Sequence, residues 1–329
     1  SLVGSEMCIR DSPRTDRPGR PARTVAQRHG RPGRDLSCRA ADRLPRCRLH
    51  DQLCAPAPLM PELPEVETTR RGISPLLEGR ELRGARVRQR RLRYPVTPGL
   101  EGRLRGRRVE KIRRRGKYLL VETTGGTLIV HLGMSGSLRV LPASTPPGPH
   151  DHVDILFDEH CLRLRDPRRF GLVVWTAGDA RRHSLLSHLG PEPLEPAFSA
   201  EYLYGVAKNR RGAVKNLIMN SRIVVGVGNI YANEALFSAG VDPRRRADRI
   251  SRSRYARLVQ AIRRVLSDAI EHGGTTLRDF VQENGRPGYF RQELRVYGRE
   301  GQSCLACGAP IRHCVLGQRS TYYCVRCQH

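Results

Sequence analysis

Four cysteines near the end of the chain are spaced for metal chemistry. Cys304 and Cys307 form one Cys-x2-Cys pair and Cys324 and Cys327 a second, with Gly308 to Tyr323 between them. Each pair can place two thiolates on one side of a tight turn, and two such turns complete a tetrahedron for Zn²⁺. Iron–sulfur ligation and two redox-active pairs are the alternatives, and zinc is the better fit. Cys314, between the pairs, reads as a spare thiol. So short a tail builds little core, so one structural zinc would supply its folding energy and leave no open position for catalysis. The remaining cysteines are Cys8, Cys38, Cys47, Cys54 and Cys161. This uneven distribution favours a metal site in a reducing compartment over a disulfide framework.

A second concentration of chemistry is Met60-Pro61-Glu62-Leu63-Pro64-Glu65-Val66-Glu67. A proline at a free N-terminus is a secondary amine with a pKa near ~8. Just ahead of a helix it would feel the positive end of the helix dipole, which favours the neutral nucleophile. Attack on a sugar C1′ would give a cationic Schiff base, an electron sink for breaking the adjacent phosphate ester. An amide nitrogen cannot do this, so the chemistry requires translation from Met60 and removal of that methionine. Taken without its surroundings, Pro61 is a turn proline.

The elements that would hold these residues are legible in outline. Pro64 near a helix start, Glu65 and Glu67 in the first turn, and Val66, Ile73 and Leu77 predict a short amphipathic helix. Strand-like stretches 118–123 and 127–132 flank Gly125-Gly126, a hairpin signal, and 153–157 with 161–165 predict a second hairpin. Residues 170–176 read as a further strand, and a proline-rich loop at 142–149 separates the groups. Several short strands with frequent turns suggest a β-sandwich. Beyond about Gly190 the pattern turns helical, most clearly at 229–239 and at 251–271, which Gly273-Gly274 ends. The tail from about Leu294 is β-like, with a hairpin between the cysteine pairs. No internal repeat is present.

Composition narrows the partner. The 329 residues carry 59 Lys and Arg against 32 Asp and Glu, a formal charge of +27. That excess suits a polyanion, since each neutralised phosphate releases condensed counterions. No apolar run approaches the ~18 residues of a membrane span. Lysine occurs only at Lys111, Lys117, Lys208 and Lys215, and a deprotonatable amine is what arginine cannot supply. Residues 1–60 lack periodicity and are rich in Arg, Pro and Gly. A disordered basic arm is one reading. The preferred one is non-native sequence upstream of the true start, because Ser1–Ser12 resembles a translated sequencing adapter.

From Met60 to His329 the chain resembles the formamidopyrimidine-DNA glycosylases. The resemblance rests on the octapeptide at Met60, on Arg115-Gly116-Lys117-Tyr118, His131-Leu132-Gly133-Met134-Ser135-Gly136 and His150-Asp151-His152. It continues through Asp166-Pro167-Arg168-Arg169-Phe170-Gly171, Val225-Gly226-Val227-Gly228-Asn229-Ile230-Tyr231 and the four cysteines. It implies an α+β multidomain fold: a β-sandwich with a leading helix over 61–190, a helix–two-turn–helix domain over 191–290, and a zinc-ribbon β-hairpin over 291–329.

The resemblance also assigns roles. Pro61 becomes the nucleophile and Glu62 the acid beside it that protonates the deoxyribose ring oxygen, for which it must be held partly protonated. Lys117 assists β-elimination and contacts phosphate; a phosphate clamp alone would explain it nearly as well. Met134, Arg168 and Phe170 fill the duplex where a nucleotide is flipped out, though as isolated residues Met134 and Phe170 read as core. His150, Lys215 and Asn229 contact phosphate, Asn229 alone being readable as a helix cap. Arg319, on the ribbon hairpin, belongs to δ-elimination. Asn209-Arg210-Arg211 departs from the family's usual lysines. Pro287-Gly288-Tyr289-Phe290 falls in the loop over the flipped base.

The implied activity is excision of oxidised purines, chiefly 8-oxoguanine and formamidopyrimidines, from double-stranded DNA, followed by β,δ-elimination. The implied setting is a monomer in the bacterial cytoplasm, on the nucleoid, with one structural zinc and no membrane partner. Two rivals remain. The endonuclease VIII branch shares the Pro61-Glu62 logic but prefers oxidised pyrimidines; Pro61-Glu62-Leu63-Pro64 and Met134 point away from it. A catalytically silent DNA-binding protein could use the same basic surface.

Overall fold

A computed structural model describes residues 61–273 and 294–329. The extension 1–60 and the loop Pro287-Gly288-Tyr289-Phe290 lie outside the described residues. The leading helix α1 (Leu63–Leu77) starts as the sequence predicts. Pro64 sits in its first turn, and the Glu65 carboxylate reaches back to the Glu62 N–H at 2.8 Å. That bond satisfies one of the backbone donors a helix start leaves open. The apolar face buries Val66, Ile73 and Leu77.

Two antiparallel four-stranded sheets follow. One is ordered β2 (Val109–Arg115), β3 (Tyr118–Thr123), β4 (Gly126–His131), β8 (Leu172–Thr176). The other is ordered β1 (Gly84–Val87), β6 (Asp151–Leu156), β7 (His160–Arg165), β5 (Ser137–Pro142). The short helix α2 (Leu100–Leu104) joins α1 against the same core, where Leu104, Ile112, Leu119, Leu128 and Leu164 are packed. On its outer face β3 and β4 present Leu120 and Ile129 to Ala180 and Leu186. Covered on both faces, these strands read as continuous apolar runs rather than alternating ones.

Both predicted hairpins form, and they fall in different sheets. The turn of the first is Thr124-Gly125, because Thr123 pairs with Gly126. Gly126 is drawn into the strand where a Cβ would stand 2.3 Å from Cζ2 of Trp175. β8 starts at Leu172 rather than Phe170, since the Asp166 side chain takes the Gly171 N–H at 2.7 Å.

The helical part contains α3 (Ala200–Ala207), α4 (Val214–Ile218), α5 (Asn229–Ala239) and α6 (Arg252–Gly273). α5 is the central member: Ile230, Ala232, Ala235 and Leu236 are buried against Leu258 and Ile262 of α6. The two turns between α4 and α5 bring the glycine-rich Gly226–Gly228 against α1, where Leu63 N–H donates to the Gly226 carbonyl at 3.4 Å. The tail folds as a ribbon of β9 (Arg312–Leu316) and β10 (Arg319–Tyr323). Gly317 and Gln318 both take left-handed backbone at its tip, φ 55° and 61°. That geometry matches the twist of a two-residue hairpin. Among the described residues no helix is long and apolar enough to cross a membrane.

Candidate active site and nucleic-acid interface

Pro61 is buried immediately ahead of α1. The next side chain, Glu62, has no exposed surface. Its Oε1 accepts the Ile230 N–H at 3.1 Å, while its buried Oε2 has no hydrogen-bond partner. The first turn of α5 therefore faces a carboxylate of the chain itself, which the positive end of the helix favours. Gly228 makes the approach possible: a Cβ there would stand 2.1 Å from the carboxyl carbon of Glu62. Behind it, Glu65 accepts the Tyr231 hydroxyl at 2.6 Å. Burial pushes the Glu65 carboxyl up, and the Tyr231 hydroxyl stands well above its ordinary value for the same reason.

Lys117 occupies the tight turn between β2 and β3, whose Gly116 is left-handed at φ 57°. With Tyr118, His131, Arg319 and the loop Val225–Val227 it lines a cavity of about 410 Å³ between the sandwich and the helical part. The sequence reading gave His131 no role. Its Nδ1 accepts the Gly133 N–H at 2.9 Å and its ring lies 4.9 Å from Tyr118. Burial, and then the positive charges of Lys117 and Arg93, hold the imidazole down at about 4. A neutral ring accepting through Nδ1 carries its proton on Nε2, as a donor. The available signal was a histidine at the end of a strand two residues before Gly133.

The loop that carries Met134 and the loop that carries Arg168 and Phe170, more than 30 positions apart, meet at one end of the sandwich. Asp166, fully buried, fastens both loops: its carboxylate accepts the Ser135 hydroxyl at 2.9 Å and the Gly171 N–H at 2.7 Å. A Cβ at Gly133 would stand 2.5 Å from the Gly171 nitrogen, so the two loops touch backbone to backbone. The Arg168 guanidinium lies 5.0 Å over the Phe170 ring, which is 41% exposed. An exposed aromatic stacked by a cation is the opposite of a core phenylalanine. His150 takes left-handed backbone at φ 73°, its carbonyl accepting the Asp166 N–H at 3.0 Å. Such backbone in a non-glycine residue is uncommon and concentrates at functional sites.

Lys215 is placed differently from an open phosphate clamp. Its ammonium is fully buried and donates to the Ser320 carbonyl and the Thr321 hydroxyl, both at 2.7 Å. Burial lowers it to about 8. Asn229 donates to the same Ser320 carbonyl at 3.1 Å and keeps a buried Oδ1 without a partner. α4 and α5 thus grip β10 beside Arg319, which projects exposed into the cavity. Two further residues of α5, without a role in the sequence reading, complete the grip. Asn233 accepts the Tyr322 N–H at 2.8 Å, and Glu234 accepts the N–H groups of Arg295, Val296 and Tyr297 at 2.9–3.0 Å.

The ribbon's four cysteine sulfurs, Cys304, Cys307, Cys324 and Cys327, lie within 4.8 Å of one another, with Cys304–Cys327 at 3.9 Å and Cys307–Cys324 at 3.4 Å. Thiolates about 2.3 Å from a tetrahedral metal would stand about 3.8 Å apart, so the cluster fits a metal ion. Cys314, on β9, is not part of it.

A β-sandwich, a helix–two-turn–helix part and a four-cysteine ribbon gathered around one cleft define a nucleic-acid-processing architecture. Residues 60–173 match the model of the formamidopyrimidine-DNA glycosylase N-terminal domain, and residues 189–281 that of the family's H2TH domain. The formamidopyrimidine-DNA glycosylase of Acidithiobacillus ferrooxidans is 60% identical over 270 residues, 82% of this chain and 100% of that protein. The structure of Lactococcus lactis Fpg in complex with DNA containing an abasic site superposes with TM-score 0.74 at 30% identity. It covers 82% of this chain and 100% of that one. MutM in complex with DNA containing carbocyclic 8-oxo-G gives TM-score 0.73 at 31% identity, with the same coverage. The chain belongs to the formamidopyrimidine-DNA glycosylase family.

Proposed function

We propose that this chain, once it begins at Pro61, is a bifunctional DNA glycosylase and abasic-site lyase that removes oxidised purines from duplex DNA. The observation that carries the reading is the buried carboxyl of Glu62 next to Pro61, with Oε1 on a helix N–H and Oε2 without a partner. The names and DNA complexes of the relatives support the substrate class.

In this reading the Pro61 nitrogen, having lost its proton, bonds to C1′ as the base leaves with the glycosidic electron pair. Glu62 Oε2 gives a proton to the ring oxygen and the ring C1′–O bond opens, while the nitrogen gives its remaining N–H proton to the departing base anion and the electron pair so freed makes the iminium. The iminium acidifies C2′–H; Lys117 assists removal of that proton while the 3′ phosphate departs. A second elimination, served by Arg319, releases the 5′ phosphate and leaves a one-nucleoside gap. Met134, Arg168 and Phe170 occupy the duplex space vacated by the flipped nucleotide. His150, Lys215 and Asn229 serve the DNA backbone, Lys215 through its hold on the ribbon.

The working division is 61–190, 191–290 and 291–329, with Zn²⁺ as the structural ion of the four cysteines and a monomer in the reducing bacterial cytoplasm as the acting form. Residues 60–329 correspond to the full length of the A. ferrooxidans relative, so this stretch is the one to assay. Borohydride reduction of its mixture with abasic-site duplex should give a covalent adduct whose sugar remnant maps to Pro61. No adduct, or one mapping to a lysine, would refute the reading.

A further inference from the structure

Glu192 lies in the connector between β8 and α3, and its carboxylate is engaged by the turn that presents Lys117. Oε1 accepts the Gly116 N–H at 2.7 Å and the Arg115 guanidinium at 2.9 Å, while Oε2 accepts the Arg114 guanidinium at 2.7 Å. Arg114 also donates to the Gly116 carbonyl at 3.0 Å and to Glu67 of α1 at 3.1 Å. The connector is itself tied to the segment before the glycine-rich loop: Gly190 N–H donates to the Ser221 carbonyl at 2.8 Å and Val225 N–H to the Pro191 carbonyl at 3.1 Å. The Cβ position of Gly116 is 3.1 Å from the Val225 Cβ, so turn and loop are in contact. One carboxylate thus joins the β2–β3 turn to the loop that, three residues on, packs Gly228 against Glu62.

We propose that Glu192 is a positioning residue for Lys117, holding the Gly116–Lys117 turn in register with the Gly226–Gly228 loop so that the lysine and the Glu62 site act on one nucleotide. The proposal rests on the reading of Lys117 given above. Two features of the site favour registration over a simple surface ion pair. Glu192 is only 7% exposed, and its shortest bonds include a backbone N–H of the turn rather than side chains alone. A carboxylate offers acceptors on both oxygens, whereas an amide must turn a donor toward Arg114 or toward Gly116. Glu192→Gln should therefore release the turn without undocking the connector, because Arg115 still donates to the Leu189 carbonyl at 3.0 Å and to the Gly190 carbonyl.

The test is single-turnover strand cleavage at a preformed abasic site by residues 60–329, in a double-mutant cycle of Glu192→Gln and Lys117→Ala. Misplacing a reacting group by about 1 Å costs on the order of 10²-fold, and that loss is expected for Glu192→Gln with duplex affinity unchanged. In the Lys117→Ala background the same substitution should cost nothing further, because the group it positions is gone. Wild-type cleavage by Glu192→Gln would overturn the proposal. So would an equal loss in both backgrounds, which is what general unfolding or a merely structural role would produce. If the unsubstituted protein forms no borohydride adduct, the Schiff-base reading fails first and takes this one with it.

Discussion

Glu62 and Ile230, 168 positions apart, are joined by a buried hydrogen bond from the Ile230 N–H to the Glu62 carboxylate at 3.1 Å. The bond places the start of the sandwich's leading helix on the start of the central helix of the other part. The same contact fixes the orientation of the Glu62 carboxylate and joins the two helix starts, with Gly228 as its neighbour.

Gly228→Ala tests that dependence. The backbone at Gly228 is extended, φ −104°, so alanine fits the backbone and only the 2.1 Å approach to the Glu62 carboxyl is violated. Displacing the acid should slow base excision by about 10²-fold while duplex binding persists. Single-turnover excision alongside a gel-shift titration would check both halves.

Asp166→Ala should uncouple the two loops that carry Met134, Arg168 and Phe170. It strips partners from the Ser135 hydroxyl and the buried Gly171 N–H, for a stability loss of about 3 kcal/mol. Excision of a lesion from duplex DNA should fall, because the emptied stack is no longer filled. Cleavage of a single-stranded abasic site, which needs no such filling, should be nearly spared. Equal losses on the two substrates would contradict the assignment.

Much of this arrangement was legible before any coordinates. The two Cys-x2-Cys pairs, the Gly-flanked hairpins and the capped start of α1 are local patterns, and local patterns survive folding. The long amphipathic helix α6 announced itself by periodicity, and α5 emerged with the predicted bounds. β1, β2 and β5 were not foreseen. β2 exposes arginines along a strand with only Val109 and Ile112 fully buried, and β1 has four residues. α4 is a five-residue helix, too short for periodicity to show. Asp166 was read only within a motif, without its part in joining the two loops. Glu192 and Glu234 escaped notice for another reason. Each is an acid whose meaning lies in backbone N–H groups brought to it from a distant segment, and no spacing rule encodes that. Lys215 was found by resemblance, yet its buried position under β10 followed only from the packing.

The His131 imidazole gives a pH prediction. Its folded-state value of about 4 lies below the ordinary 6.5, so the unfolded chain binds the proton first on acidification. Stability is unaffected by this group above about pH 6.5 and is lost as pH falls from there through about 4. Lys117→Ala removes a neighbouring positive charge and should raise the value, with burial still keeping it below 6.5. Ring-proton NMR titration of the two proteins would show the upward shift, or its absence.

Removal of the metal should unmake the ribbon. Structural zinc contributes on the order of 10 kcal/mol in small cysteine sites, far more than the backbone hydrogen bonds accepted by Asn233 and Glu234 can replace. Native mass spectrometry should find one zinc per chain. Chelation should release it together with strand cleavage, since Arg319 is carried on the same hairpin. A chain that keeps full cleavage after metal loss would show that the ribbon does not serve the cleft.

The most direct measurement concerns the first atom of the proposed reaction. Protein beginning at Pro61 and protein still acylated there by residues 1–60 should be compared for nicking of duplex DNA containing 8-oxoguanine. The free secondary amine should cleave and the acylated nitrogen should not, with both binding the duplex. Equal nicking by the two would contradict the account, because an amide nitrogen has no lone pair to give to C1′.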